Sequence, residues 1–266
     1  ESLVQDFFQL VERGVSEINL LSQDTSSYGK DLRDGTELSG LLSALSTVPG
    51  DYWIRMFYCY PNSFTDEVLE VMASDPRFCR YLDMPFQHIS DPVLKKMNRK
   101  ITRKEIEATM DRVRSQLPDV AWRTTFIVGF PTETDQDFEE LVDFVSEGHF
   151  QHLGIFLYSD EDNIRSSKFG DPIPLSLKEE RKNRLMEIQQ KISREHHQKM
   201  VGSLQQVLVG GFSSETDLLL EGRNQYQGPE VDGVVYINEG NATSAGFHQV
   251  EITEAHEYDL VGKILN

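Results

Sequence analysis

The sequence predicts an α/β protein: a partial, open parallel βα barrel followed by a small all-β barrel. Three observations predict it. Short runs rich in β-branched and aromatic residues are centred near 18, 54, 82, 124 and 154, with a helical pattern in each gap, which is the repeat of a parallel sheet. Arg123 to Thr134 (RTTFIVGFPTET) reads as one complete β-turn-α unit. From about Val201 the pattern changes to short alternating segments separated by glycines, as in small β-barrels. Five strands fall short of a closed eight-stranded barrel, so an open one is expected. The boundaries follow as 1–175 for the βα barrel, 176–200 for a linking helix and 201–266 for the β-barrel.

Taken in order, Glu1–Arg13 carries Leu3, Val4, Phe7, Phe8 and Val11 on one helical face, and Gly14 ends it. A helix with no strand before it is out of phase with a βα repeat. The chain is therefore expected to be a fragment whose first strand lies upstream. Glu17–Ser22 reads as a strand followed by the polar turn Gln23-Asp24-Thr25-Ser26, and Leu38–Leu45 as a helix. Tyr52–Tyr60 is the next strand, stopped by Pro61; Thr65–Ser74 is a helix, and Arg80–Met84 a third strand with the exit loop Phe86–Asp91. Thr102 and Glu105 form a capping box ahead of Ile106, Met110, Val113 and Leu117. The strand Trp122–Ile127 then breaks at Gly129 and Pro131, and Thr134 opens a helix with Asp135 and Asp137 in its first turn, where they favour its positive end. His152–Ser159 is the fifth strand, and Asp160, Glu161 and Asp162 after it read as a solvated acidic turn. Pro172 and Pro174 precede a long helix, Ser176–Met200; four alternating segments follow, Gln205–Val209, Asp217–Glu221, Gly233–Ile237 and Gln249–Thr253. Ligands of parallel sheets bind at C-terminal strand ends, which selects Gln23, Asp24, Tyr60, Gln87, His88, Gly129 and Tyr158.

Charge narrows the function. Forty-four acidic against 26 basic residues give a net charge of -18, which repels phosphate backbones and disfavours a nucleic-acid partner. No apolar run approaches the roughly 20 residues of a membrane span, and no signal peptide is legible, so a cytoplasmic location without membrane contact is expected. Cys59 and Cys79 offer neither a disulfide framework nor a metal knuckle and read as buried thiols. His149 and His152 share a His-x-x-His spacing without a carboxylate partner, so no metal site is assigned. His196 and His197 read as a solvated helix face, and Phe7, Phe8, Phe126, Phe144 and Phe156 as core.

Four segments carry a resemblance: LSQDTSSYG at Leu21–Gly29, MPFQHISDPVLKKMNR at Met84–Arg99, RTTFIVGFPTET at Arg123–Thr134 and PEVDGVVYI at Pro229–Ile237. In that order they resemble the methylthiotransferases of the radical S-adenosylmethionine (SAM) superfamily, and the C-terminal barrel resembles a TRAM domain, an OB-like fold. His88 and the EVDG segment look more like the ribosomal-protein branch (RimO type) than the tRNA branch. The resemblance implies a four-iron four-sulfur (4Fe-4S) cluster that reduces S-adenosylmethionine to a deoxyadenosyl radical, hydrogen abstraction from an unactivated carbon, and transfer of a methylthio group. The implied substrate is an aspartate β-carbon of a small-subunit ribosomal protein. By motif, Gln23 and Asp24 would bind the methionine amino end, Arg123 its carboxylate, and Ile127, Val128 and Gly129 the adenine, with Gln87 and His88 on the substrate side. No catalytic residue is assigned to this chain. Thr125 departs from the family pattern, standing where glycine is common.

The family's Cys-x3-Cys-x2-Cys motif is absent and is expected before Glu1, as is the domain holding a second 4Fe-4S cluster. The chain alone is therefore expected to ligate neither cluster, to be inactive, and to bind S-adenosylmethionine weakly or not at all. Within 201–266, ten acidic residues face only Arg223 and Lys263. Ribosomal proteins are basic, so an acidic barrel suits docking one of them better than gripping RNA. Three other readings stand: a tRNA adenosine methylthiotransferase, a non-radical partial-barrel enzyme with Asp24 and His88 as acid and base, and an interaction module. Arg123 has a plain alternative as well, an interior ion pair with Asp83 or Asp24.

Overall fold

The structure, a computed structural model, describes residues 2–160, 169–240 and 245–265. Glu161 and Asp162 of the expected acidic turn lie outside the described residues. Helix α1 (Ser2–Glu12) leads into β1 (Glu17–Leu20), and α2 (Leu38–Ser46) into β2 (Trp53–Met56). Next come α3 (Asp66–Ser74), β3 (Tyr81–Asp83), α4 (Asp91–Lys96), α5 (Arg103–Gln116), β4 (Ala121–Val128), α6 (Asp135–Ser146) and β5 (His152–Leu157). All five strands run parallel. β1 pairs with β2, and β3 with β4 and β4 with β5, while a bridge between Ile54 and Phe78 joins the two sets. Chain order and spatial order coincide, as in an arc of a βα barrel.

Alternation along β4 sorts the two faces of the arc. Trp122, Phe126 and Val128 enter the large core shared with the helices, which also takes Leu42, Leu69, Leu82, Ile106 and Leu141. Arg123, Thr125 and Ile127 occupy the other, concave face. Two aromatic residues expected in the core are not enclosed by it: Phe8 is 38% exposed and Phe156 is 59% exposed. Phe156 belongs to the last strand of the arc, and its neighbour Ile155 takes the core-facing position.

Strands β1 and β2 are shorter than expected. After Met56 the chain leaves the ladder, Tyr58 turns left-handed at φ 54° and accepts from Thr25 N, and Cys59 N donates to the Asp83 carbonyl at the end of β3. The capping box at Thr102 and Glu105 is present, and Thr134 and Asp137 form another.

Helix α7 (Leu175–Gln198) leads to five further strands: β6 (Leu204–Phe212), β7 (Leu220–Asn224), β8 (Val235–Glu239), β9 (Gly246–Ala255) and β10 (Leu260–Ile264). They close a barrel in the order β10-β8-β7-β6-β9 around Val207, Val235, Val250, Ile252 and Leu260. The fifth of these strands was not among the four expected. No helix of the described residues is long and apolar enough to cross a membrane.

The barrel seats on the concave face of the arc. Trp53, Phe57, Tyr81 and Ala121 pack with Leu208, Tyr226 and Phe247. Asp83, Arg123 and His152 align across β3, β4 and β5. Asp232 of the barrel meets this row: it accepts from Tyr81 Oη at 2.7 Å and stands 3.4 Å from both Arg123 Nε and His152 Nδ1. The EVDG segment is thus a joint. A Cβ on Gly233 would fall 1.8 Å from the Tyr258 carbonyl oxygen, so only glycine fits there.

Candidate functional site

The C-terminal ends of β1, β2 and β3 open into a cavity of about 330 Å³, lined by Gln23, Asp24, Tyr58, Cys59, Tyr60, Pro85, Gln87 and Arg99. Its wall is built from the short polar segment after β1. Thr25 Oγ1 donates to the Phe57 carbonyl at 2.6 Å, and Tyr60 N donates to Ser26 Oγ at 2.8 Å. Ser26 and Ser27 each donate a hydroxyl to the Asp24 carboxylate at 2.6 Å. The TSS triplet therefore both ties the first loop to the second and aims Asp24. Gln87 holds a left-handed backbone at φ 73° and is pinned as a strand-like bridge, its N–H on Thr125 and its carbonyl on Ile127. Non-glycine residues at positive φ concentrate at functional sites, and two of them, Tyr58 and Gln87, line this cavity.

The remaining expected residues are placed as follows. Gln23, Asp24 and Gln87 come together. His88 follows Gln87 but is wholly buried: Nδ1 accepts from Ser90 N at 3.0 Å, and Nε2 has no hydrogen-bond partner among the described residues and lies 3.8 Å from Glu133. Burial pulls its pKa down to about 4, so the ring is neutral near pH 7. Arg123 donates to Asp83 at 2.8 Å, realising the interior ion pair. Asp83 in turn accepts from Tyr58 N at 3.0 Å, so Arg123 acts on the rim through a carboxylate.

Val128 is core, and Ile127 packs toward Phe130 and Tyr158. Gly129 sits at φ 76°, and a Cβ there would fall 2.3 Å from Cγ of Lys178. Its N–H donates to Glu133 at 2.8 Å. Glu133 is held by Arg181 at 2.7 Å, and Lys178 donates to the Tyr158 carbonyl at 2.8 Å. Sequence reasoning missed Tyr58, Arg99, Glu133, Lys178 and Arg181. The two α7 cations reach this turn across more than forty residues of chain, and nothing local marks them.

Of the remaining histidines, His149 pairs with Glu147 at 2.6 Å and His152 with Asp232. His197 is not on a solvated face; it is 6% exposed because the end of α7 packs on the barrel, where Nδ1 bonds the His256 carbonyl.

Comparison with known families decides the lineage, since the radical SAM superfamily model matches residues 1–145. The chain belongs to the radical SAM superfamily. A TRAM domain matches residues 201–265. Proteins called ribosomal protein uS12 methylthiotransferase RimO are 42% identical in Geotalea uraniireducens, 44% in Desulfotalea psychrophila and 46% in Bdellovibrio bacteriovorus. These matches cover 99–100% of the chain but 59–60% of each relative, so the radical SAM chain spans about three-fifths of their length. Among solved structures, coproporphyrinogen III oxidase (HemN) from Escherichia coli shares the fold at TM-score 0.53 and 17% identity, over 84% of this chain and 60% of that one.

An iron–sulfur cluster needs cysteine thiolates. Both cysteines are buried free thiols; burial pushes Cys79 up to about 12 and Cys59 higher still. Among the described residues no group of three or more His, Cys, Asp and Glu side chains is placed to hold a metal. The residues of this chain do not fit such a cluster.

Proposed function

We propose that this chain is the radical SAM and TRAM portion of a ribosomal-protein methylthiotransferase of the RimO type. The whole protein would add a methylthio group to the β-carbon of an aspartate in ribosomal protein uS12, in the cytoplasm. The observation that carries this reading is 41–46% identity along the full chain to relatives of that name. In this reading the rim cavity takes S-adenosylmethionine, which supplies the radical and the methyl group when bound. Asp24, already oriented by Ser26 and Ser27, accepts from the cofactor's ammonium with Gln23 beside it. Arg99, which lines the cavity with its guanidinium over the Tyr60 ring, is the cation available to the carboxylate. Arg123 fixes Asp83 and through it the Tyr58 backbone. Ile127 and the Gly129 turn form the adenine wall with Val128 packed in the core behind them, and Gln87 stands on the substrate side with His88 supporting it from behind. Both 4Fe-4S clusters of the whole protein would be ligated by residues other than these, and the 266 residues alone are expected to be inactive.

The barrel is proposed to dock the basic substrate protein. Asp232 is spent on the joint, but Glu215, Asp217, Glu230, Glu239 and Glu254 are exposed. Binding of the chain to purified uS12 and to tRNA across ionic strength tests this. Preference for uS12, weakening as salt rises, is expected; tighter binding of tRNA would overturn the ribosomal-protein reading.

A further inference from the structure

At the opposite end of the sheet from the rim, where the strands begin, a cavity of about 470 Å³ separates the βα arc, the end of α7 and the barrel. We propose that it is a second binding site, for a small organic carboxylate.

Two amides make the case. Asn224, the last residue of β7, and Gln227, in the turn after it, are each 1% exposed and both line the cavity. Their oxygens are used inside the turn: Asn224 Oδ1 accepts from Tyr226 N at 2.9 Å, and Gln227 Oε1 accepts from Asn224 N at 3.1 Å. Those bonds fix the orientation of each amide, so the NH₂ ends are the free ones. Among the described residues neither Asn224 Nδ2 nor Gln227 Nε2 has a partner. Native structures rarely leave buried donors unpaired, and two in neighbouring residues of one cavity wall call for acceptors.

A single water would fill little of this cavity. The space exceeds the roughly 30 Å³ share of one water many times over, and Val120, Met200 and Leu260 give it apolar walls. A carboxylate offers coplanar acceptors to the amide pair, and an apolar body would cover those walls. The local charges agree. Lys199 lines the cavity, whereas the one lining carboxylate, Asp119, is half exposed and stands 3.8 Å from Arg80. An occupant here would touch the arc, α7 and the barrel together and so tie the two halves to one another.

Benzoate is a suitable probe. Titrating it into the full 266-residue chain, with side-chain amide signals followed by ¹⁵N NMR, should give saturable shifts at Asn224 and Gln227. Asn224→Asp and Gln227→Glu keep the oxygen that each turn bond needs and replace only the donor. Each should weaken benzoate by about tenfold or more, the loss of a hydrogen bond to a charged group. Lys199→Met, on the exposed end of the helix and outside the turn, should weaken it as well and serves if the turn variants fold poorly. Unmoved amide signals at millimolar benzoate, or parental affinity in the variants, would overturn the proposal.

Discussion

Tyr58 and Gln87 sit at φ 54° and 73°, each at a cost of order 1–2 kcal/mol that the surrounding bonds from Asp83, Thr125 and Ile127 offset. Behind them His88 contributes a pH dependence. Its pKa is near 6.5 when unfolded and about 4 when folded. Between those values the unfolded chain binds more protons, so stability falls as pH drops through that window. Going from pH 7 to pH 5 should cost about 2 kcal/mol through this residue. Urea unfolding of the parent and of His88→Gln at both pH values measures it: the parent should lose more by that amount, and equal losses would show that the ring is not buried neutral. Gln23, Asp24 and Gln87 were legible as rim residues because polar groups just past a buried strand have few structural reasons to be there. The enclosure of His88 was not legible. It depends on Glu133, Asp137 and Arg181, which arrive from other elements.

At the scale of elements, α7 is the clamp. Its first turns hold the Gly129 turn through Lys178 and Arg181, and its end meets the barrel through His197. Glu133 is buried, and burial raises its pKa while Arg181 opposes that shift. Removing one member of a buried pair strands the other, so Arg181→Met should destabilise by about 3 kcal/mol, with Glu133→Gln added to it recovering part of the loss. Chemical denaturation of the single and double variants checks this, and additive losses would contradict it. Long amphipathic helices and capping boxes were readable from spacing alone. The six-residue α4 was too short to show a period and carries Pro92. Strand β10 was missed because Gly262 interrupts its alternation, and its burial comes from closing the barrel against β8 and β9.

Across the whole molecule, the arc and the barrel share a polar joint. Glu17 pairs with Arg55 and Arg223 at 2.8 Å each, and Asp232 meets Tyr81, Arg123 and His152. The sequence showed where the two patterns change, but not that EVDG would reach across: a contact between Asp232 and Tyr81 spans 151 residues. Arg123 and Asp83 connect this joint to the rim, where Tyr58 is 47% exposed beside the cavity. This rim is proposed to take the methionine end of S-adenosylmethionine. The most direct measurement is ¹⁵N NMR of the chain with millimolar S-adenosylmethionine. Weak, saturable shifts at the backbone amides of Gln23, Asp24 and Gln87, reduced in Asp24→Asn, are predicted; shifts that Asp24→Asn leaves unchanged, or that centre on Asn224 and Gln227 instead, would contradict it.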